Sequence, residues 1–253
     1  MRALVTNDDG IHTTGLLTLA RVAVKAGLDV VVAAPHEEYS GSSASLTALE
    51  EHGRLIVHQQ SLDGLDDVRA LGVEASPGFI AFAAAYGAFG PPPDLVLSGV
   101  NHGPNTGNAV LHSGTVGAAL TARTHGASAL AVSNISPRPR HWDTAAAMAE
   151  RSLSWLLDNT GDEPVTLSVN VPDLPLAEVH GLCTARLAAF GAVQADVGET
   201  GEGYVTMTFS EVDEEPEPGT DAYLLREGWA TVTSLASPCE AGGVDLSALT
   251  DSR

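Results

Sequence analysis

The sequence predicts an α/β fold in which a doubly wound, mainly parallel sheet is followed by a C-terminal extension rich in β-hairpins. Strand-like and helix-like segments alternate over the first two thirds of the chain. Several strand-like segments are continuous apolar runs, as expected for strands buried on both faces. The alternation stops near residue 180. We therefore predict a core over residues 1–180 and an extension over residues 181–253, with a flexible tail from about Glu240.

The first β-α-β unit is the clearest local pattern. Residues 3–7 (ALVTN) form a short apolar run that ends in a polar turn. Residues 16–27 (LLTLARVAVKAG) carry apolar side chains at helical spacing and stop at Gly27, which predicts a helix with a glycine at its C-terminus. Residues 29–35 (DVVVAAP) then predict a second buried strand. This order is typical of a right-handed parallel unit.

The later elements are predicted in the same way. Residues 39–72 are polar and irregular, with short strands expected at RLIVHQ and VRALG. Further helices are expected at 76–90, 116–127 and 143–159, and strands at 94–100, 128–134 and 165–175. Beyond residue 180, CTARLAAF, GYVTMTFS and WATVTSL favour β-structure, while the acidic stretch 211–221 is expected to be a solvated loop.

The composition excludes several classes of partner. The chain has 253 residues and a formal net charge of −20, with 32 acidic and 12 basic residues. Such a charge repels nucleic acid polymers and anionic membranes. No stretch reaches the roughly 18 apolar residues of a membrane helix, the N-terminus lacks a signal-peptide pattern, and there are two cysteines. We expect a cytoplasmic protein.

Polar clusters follow the strands where an open parallel sheet binds its ligands. Asn7-Asp8-Asp9-Gly10 follows the first strand, Ser40-Gly41-Ser42 the second, and Ser98-Gly99-Val100-Asn101 the strand at 94–100. A further cluster, Ser113-Gly114-Thr115, precedes a helix. The N-terminus of that helix is suited to binding a phosphate group.

The adjacent carboxylates of Asp8 and Asp9 indicate a divalent metal site. Neighbouring carboxylates repel each other, so a cation or a proton is normally needed to hold them together. An all-oxygen cluster suits Mg²⁺, Mn²⁺ or Ca²⁺, and such an ion can polarise a phosphoryl group. These residues therefore favour hydrolysis of a phosphate monoester. The alternative is that Asp8 and Asp9 only stabilise the start of the next helix.

The motifs that carry these residues resemble the SurE family of metal-dependent nucleotidases. LVTNDDGIHTTGLLTLA is similar to that family's N-terminal signature, and LSGVNHGPNTGNAVLHSGTVGAAL to its central motifs. SVNVPDLP and GTDAYLLREGWATVTSL are similar to later landmarks. These matches occur in the family's order along nearly the whole chain.

The resemblance implies a fold, an activity and an assembly. It implies a Rossmann-like core and hydrolysis of nucleoside 5′- or 3′-monophosphates or a related phosphorylated small molecule. It also implies a homodimer or homotetramer, formed through a hairpin of the C-terminal extension. Mg²⁺ or Mn²⁺ would be the cofactor, with Ca²⁺ as a substitute in crystals.

The resemblance also implies roles for individual residues. The metal ligands would be Asp8, Asp9, Ser40 and Asn101, of which Asp8, Asp9 and Asn101 would be catalytic. Further residues would line the phosphate and substrate pocket: Asn7, Gly41, Ser42, Asn105, Ser113, Gly114 and Thr115. The alternative for this second group is that they only form turns and cap helices.

Three departures from the family pattern surround these motifs. His36-Glu37-Glu38-Tyr39 replaces a usual Asp-Arg-Asn-Arg, so two glutamates stand where the family has a positive segment. Ser76-Pro77-Gly78-Phe79 replaces Thr-Pro-Ala-Asp, and His112 replaces an aromatic residue. These changes predict an altered substrate preference. His36 is either a proton donor or a surface histidine with no chemical role.

Other functions fit the residues less well. A receiver-type phosphoacceptor needs an aspartate at the end of a central strand, but Asp94 begins its strand. A covalent DxD phosphatase needs alternate aspartates, and a dinucleotide-binding module needs a glycine-rich loop after the first strand. A SurE-like protein that binds metal with little or no phosphatase turnover stays open as the alternative.

Overall fold

The computed structural model describes residues 1–159, 161, 163–189, 193–201, 203–211 and 215–240. The predicted flexible tail lies outside the described residues, apart from Glu240 itself. Among the described residues, no helix combines the length and hydrophobicity needed to cross a lipid bilayer. Both cysteines, Cys183 and Cys239, are free thiols.

The helices begin and end close to the positions that the sequence predicts. Ser76 accepts a hydrogen bond from the Phe79 amide at the start of the second helix, with Pro77 in its first turn. That helix ends at Ala85, five residues before the predicted end, because the backbone turns at Gly87 (φ 86°). The helices are α1 (Thr14–Lys25), α2 (Pro77–Ala85), α3 (Gly114–Thr124), α4 (Trp142–Asp158) and α5 (Asp221–Arg226).

The strands also follow the predicted order. They are β1 (Arg2–Thr6), β2 (Asp29–Pro35), β3 (Glu50–Glu51), β4 (Arg54–Leu55), β5 (Val57–Gln60), β6 (Arg69–Val73), β7 (Leu95–Asn101), β8 (Ser128–Asn134), β9 (Thr166–Val171), β10 (Leu182–Thr184), β11 (Val193–Gly201), β12 (Tyr204–Glu211) and β13 (Ala230–Leu235). Within the described residues, nine of them form one sheet in the order β10-β13-β9-β8-β7-β1-β2-β6-β5.

The sheet is mainly parallel, which confirms the predicted fold class. β1 pairs in parallel with both β2 and β7, and β6, β8 and β9 continue the parallel arrangement outward. β5 and β13 are antiparallel to their neighbours β6 and β9. Because β1, β2 and β7 are adjacent and parallel, the loops that follow them lie side by side at the carboxyl ends of these strands.

Helices cover both faces of this sheet. One apolar cluster joins Leu16 of α1 and Leu153 of α4 to the strands. A second cluster, on the other face, joins Ile80 of α2 and Val116 of α3 to Leu4 of β1. The central strands are buried on both faces, as their continuous apolar sequences require.

The C-terminal portion is more closely joined to the core than its composition suggests. β13 pairs with β9, and β10 pairs with β13, so the main sheet continues past residue 180. β11 and β12 form a separate antiparallel hairpin. The short helix α5 is absent from the sequence prediction. Thr220 accepts a hydrogen bond from the Tyr223 amide at the start of α5.

Candidate functional site

The loop after β1 is held in shape by the side chain of Asn7, which is fully buried. Its Nδ2 donates to the Gly10 carbonyl at 3.0 Å and to Thr13 Oγ1 at 2.8 Å. Its Oδ1 accepts from the Gly10 amide at 3.2 Å, and Gly10 has a φ of 109° that favours glycine. The Asn7 side chain therefore stabilises the turn that carries Asp8 and Asp9.

Asp8 lies against the N-terminus of α3 and is 4% exposed. Thr115 donates its hydroxyl hydrogen to Asp8 Oδ1. Burial raises the pKa of Asp8, while the hydrogen bonds from Thr115 and from nearby backbone amides oppose that rise. A Cβ atom on Gly114 would lie 2.8 Å from Asp8 Oδ2, so this approach requires a glycine.

Asp9 points toward the loop after β7. The His102 amide donates to Asp9 Oδ2 at 3.4 Å, and His102 Nδ1 lies 3.7 Å from Asp9 Oδ1. Burial raises the pKa of Asp9 to about 7, and the negative charges of Asp8 and Glu38 contribute to the rise. In the absence of a cation, burial and mutual repulsion therefore work against ionising both aspartates together.

His102 does not neutralise this pair near pH 7. Burial lowers the pKa of His102, and the charges of Glu38 and Asp8 oppose that effect only in part. Its Nε2 is buried and has no hydrogen-bond partner in the described part of the chain. His102 is thus a neutral neighbour that the sequence analysis missed, because its position depends on the pairing of β7 with β1.

The loop after β2 approaches the same aspartates. The Tyr39 amide donates to the Asp8 carbonyl at 2.8 Å. Ser40, one residue further, donates its hydroxyl hydrogen to Glu38 Oε1 at 2.6 Å, which leaves the oxygen lone pairs of Ser40 available. Gly41 is exposed and has a φ of 76°.

Ser42 brings an unused hydroxyl to the site. Its Oγ is buried and has no hydrogen-bond partner among the described residues. A Cβ atom on Gly114 would lie 2.8 Å from this Oγ as well as from Asp8 Oδ2. Ser42, Asp8 and the start of α3 therefore lie close together.

The loop after β7 carries Asn101 at the end of that strand. Asn101 Nδ2 donates to the Gly103 carbonyl at 2.8 Å. The amide nitrogen is thus committed, and the amide oxygen is the end suited to a metal. Asn101 thus donates to Gly103 and Ser40 donates to Glu38. In the described hydrogen bonds, neither side chain donates to Asp8 or Asp9.

The remaining predicted pocket residues fall into two groups. Ser113 begins α3, where its Oγ accepts from the Val116 amide at 3.0 Å and its hydroxyl hydrogen stays available. Asn105 is used inside the protein, because its Nδ2 donates to Ser133 Oγ at 2.8 Å and its backbone bonds to the Asn170 side chain. Asn105 therefore supports the loop through these contacts.

A buried aspartate from the C-terminal portion anchors the same loop. Asp221 Oδ2 accepts from the Gly107 amide at 2.8 Å, and Asp221 Oδ1 accepts from the amides of Ala188 and Ala222. Asp221 is 1% exposed, so the acidic stretch predicted as a solvated loop ends in a buried residue. The sequence did not distinguish this aspartate from its exposed acidic neighbours.

The donor set fits a divalent cation. Asp8 and Asp9 offer buried carboxylate oxygens, and Ser40, Ser42 and Asn101 offer neutral oxygens from two neighbouring loops. Oxygen ligands of this kind suit Mg²⁺ or Mn²⁺. His102 is the basic residue whose side chain lies beside Asp9, and burial lowers its pKa and keeps it neutral near pH 7.

Comparison with known proteins gives the same family as the motifs. Residues 3–192 match the family model of the survival protein SurE. The chain belongs to the SurE family. It is 36% identical over 241 residues to the 5′-nucleotidase SurE of Alkalilimnicola ehrlichii, which covers 93% of this chain and 89% of that protein.

Two further SurE proteins support this assignment. The 5′/3′-nucleotidase SurE of Salmonella typhimurium is 36% identical over 252 residues, which covers 93% of this chain and 90% of that protein. The crystal structure of the SurE protein from Aquifex aeolicus superposes with a TM-score of 0.74 at 29% identity, covering 93% of each chain. The SurE fold therefore extends over nearly the whole of this chain.

Proposed function

We propose that this SurE-family chain is a divalent-metal-dependent phosphomonoesterase that hydrolyses nucleoside monophosphates or a related phosphorylated metabolite. One observation carries the proposal: Asp8 and Asp9 are adjacent, both side chains are buried, and the histidine beside them is held neutral. A bound dication would neutralise both carboxylates at once and oppose the burial and the repulsion that raise the pKa of Asp9.

Asp8, Asp9, Ser40 and Asn101 would hold the metal. Asp8 and Asp9 supply its negative ligands, and Thr115 keeps Asp8 oriented through its hydroxyl. The neutral oxygens of Ser40 and Asn101 complete the protein's part of an oxygen site. Mg²⁺ or Mn²⁺, when bound, polarises a phosphoryl oxygen and lowers the pKa of water.

The phosphate group would bind between the loop after β2 and the start of α3. Ser42 and Ser113 have hydroxyl hydrogens available. The amides of Gly114 and Thr115 already interact with Asp8 and the Val116 amide donates to Ser113, so α3 would act on the phosphate through the positive end of its dipole. Gly114, where a Cβ atom would collide with Asp8 and Ser42, and Gly41 would let the backbone come close to the phosphate. Asn7 and Asn105 would act by holding these loops in place.

The acidic residues before Ser40 favour a substrate with a single phosphate group. Burial and the charge of Asp8 raise the pKa of Asp9, and Glu38 is close enough to add to this rise. A second phosphate near this segment would meet negative charge, while the hydrolysed phosphate is neutralised by the metal. The SurE relatives are named for nucleotide substrates, which supports nucleoside monophosphates as the first compounds to test.

The proposal is tested by phosphate release from p-nitrophenyl phosphate and from nucleoside 5′- and 3′-monophosphates. Activity should require Mg²⁺ or Mn²⁺ and should stop on addition of EDTA. Asp8→Asn should lower kcat/KM by about a hundredfold or more, since metal ions contribute several kcal/mol to such reactions. Hydrolysis that persists in EDTA or in Asp8→Asn would contradict the proposal.

The alternative is a metal-binding protein with little or no phosphatase turnover. In that case calorimetry would detect Mn²⁺ binding that Asp8→Asn abolishes, with no phosphate released from any substrate. The family relationship favours turnover, because the SurE proteins of Alkalilimnicola ehrlichii and Salmonella typhimurium are named as nucleotidases.

We also propose that the chain forms a homodimer or homotetramer through the β11–β12 hairpin and is cytoplasmic. Tyr204 and Val205, at the start of β12, are 58% and 59% exposed, and a partner subunit would cover them. Light scattering on the intact chain and on Tyr204→Ser/Val205→Ser tests the assembly. A monomeric intact chain would contradict it.

A further inference from the structure

A second group of metal-ligating side chains lies on the part of the sheet formed by β2, β6 and β5. His36 directly follows β2, His58 belongs to β5, and Glu74 directly follows β6. One ring nitrogen from each histidine and one Glu74 carboxylate oxygen lie within 4.8 Å of one another. Among the described residues, this is the group of three or more histidine, cysteine or acidic side chains whose ligand atoms come this close together.

The spacing within this group is close to that of a metal site. His58 Nε2 lies 3.2 Å from Glu74 Oε1. Two ligands of a tetrahedral zinc ion are about 3.3 Å apart, so this pair needs almost no adjustment. The His36 and His58 rings are 4.7 Å apart between centroids and are tilted by 40°. The three ligand atoms lie within 4.8 Å of one another, so side-chain rotations would have to bring the third ligand to about 3.3 Å from the other two.

His36 has a buried ring nitrogen, Nδ1, that lacks a hydrogen-bond partner among the described residues. A buried polar atom without a partner costs free energy and normally has an ion, a water molecule or a hydrogen bond beside it. Gly72 makes room for this ring, because a Cβ atom at that position would lie 3.0 Å from His36 Nδ1.

We propose that His36, His58 and Glu74 form a second metal site, which binds a zinc-class transition-metal dication. Two imidazole nitrogens and one carboxylate are ligands that Zn²⁺ accepts, whereas Mg²⁺ prefers oxygen ligands. The His58 side chain is 45% exposed and that of Glu74 is 21% exposed, so an ion can enter from solvent. The net charge of −20 attracts cations to the surface.

Zinc at this site would stiffen the segment that leads to the first metal site. His36 begins the chain segment that continues through Tyr39, whose amide donates to the Asp8 carbonyl at 2.8 Å. His58 lies in β5, at the edge of the sheet. A zinc ion would thus tie the end of β2 to this edge, and ligands that bind only the folded state raise its melting temperature.

The test measures Zn²⁺ binding to the intact protein by calorimetry in a large excess of Mg²⁺, which competes with Zn²⁺ for the Asp8–Asp9 site. The wild type should bind one Zn²⁺, and His58→Ala should weaken that binding by more than about tenfold. His180→Ala is the matched control, because His180 is an exposed histidine beside β10, at the opposite edge of the sheet. Unchanged Zn²⁺ affinity in His58→Ala would overturn the proposal.

Two further measurements distinguish this site from the Asp8–Asp9 site. Asp8→Asn should keep the zinc affinity of the wild type, and loss of zinc binding in that variant would overturn the proposal. Co²⁺ bound to nitrogen ligands should give a visible absorption band that His58→Ala and Glu74→Gln abolish and His180→Ala retains. Because His58 is partly exposed, the melting temperature of metal-free His58→Ala should match that of the wild type, and Glu74→Gln provides an independent variant.

Discussion

Asp221 accepts a hydrogen bond from the Gly107 amide at 2.8 Å, although 114 positions separate the two residues in sequence. The same carboxylate accepts from the amides of Ala188 and Ala222. One buried side chain of the C-terminal portion therefore holds the loop that runs from the end of β7 to α3. This contact links the C-terminal portion to the candidate metal centre.

Asp221→Asn should destabilise the protein and disturb this loop. The amide group that replaces one carboxylate oxygen would face a backbone N–H donor, and a buried donor left unsatisfied costs about 1–3 kcal/mol. We expect a lower free energy of unfolding in urea and a lower kcat/KM. Glu217→Gln is the control, because Glu217 is exposed and its ion pair with Arg186 contributes little. Equal stability of the two variants would show that Asp221 does not anchor the loop.

Thr115→Val should weaken metal binding without unfolding the protein. The change keeps the shape of the side chain but removes the hydroxyl that donates to Asp8. Loss of a side chain that orients a metal ligand typically weakens affinity by about 10–100-fold. Calorimetry with Mn²⁺ measures the effect. Thr121→Val in the same helix is the control, since Thr121 donates to the Gly117 carbonyl at 2.7 Å and should leave the affinity unchanged.

Gly114→Ala should impair both metal and phosphate binding. The new Cβ atom would lie 2.8 Å from Asp8 Oδ2 and from Ser42 Oγ, so at least one of them must move. Mn²⁺ affinity and KM for p-nitrophenyl phosphate should both worsen. Gly161→Ala, where nothing lies within 4 Å of the added atom, should behave as the wild type. Normal metal affinity in Gly114→Ala would place the metal away from Asp8.

The stability of the metal-free protein should fall as the pH rises from about 4 to about 7. Burial raises the pKa of Asp9 to about 7, whereas an unfolded aspartate titrates near 4. The folded state therefore retains a proton that the unfolded state loses, which lowers stability by at most about 1.4 kcal/mol per pH unit over this range. The loss levels off about one pH unit above 7, once Asp9 is ionised in the folded state as well.

Thermal unfolding in EDTA between pH 4 and pH 8 measures this dependence. Asp9→Asn should show a smaller fall in melting temperature over the same range, because position 9 then has no carboxyl group to ionise. Saturating Mn²⁺ should reduce the fall in the wild type, since the ion stabilises the ionised form. An identical pH profile for wild type and Asp9→Asn would contradict the raised pKa.

The sequence was sufficient for the main elements and for the place of Asp8 and Asp9, the candidate metal ligands, in the fold. Apolar runs such as residues 29–35 and 128–134 predict buried strands because a short run of apolar, often β-branched, side chains is a local feature of the sequence. The Asp8–Asp9 pair could be placed at the carboxyl ends of the parallel strands because it directly follows the first strand. Helix α5 was missed because its six residues are too few to show a helical period.

The sequence by itself determined which strands are buried, where most helices begin and that two adjacent carboxylates follow β1. Only the tertiary structure decided that Thr115 orients Asp8, that His102 lies beside Asp9 and that Asp221 is buried. The physical reason is that secondary structure depends on residues a few positions apart. Hydrogen bonds and pKa values at the site depend on burial and on groups from distant segments, which come together only when the sheet forms.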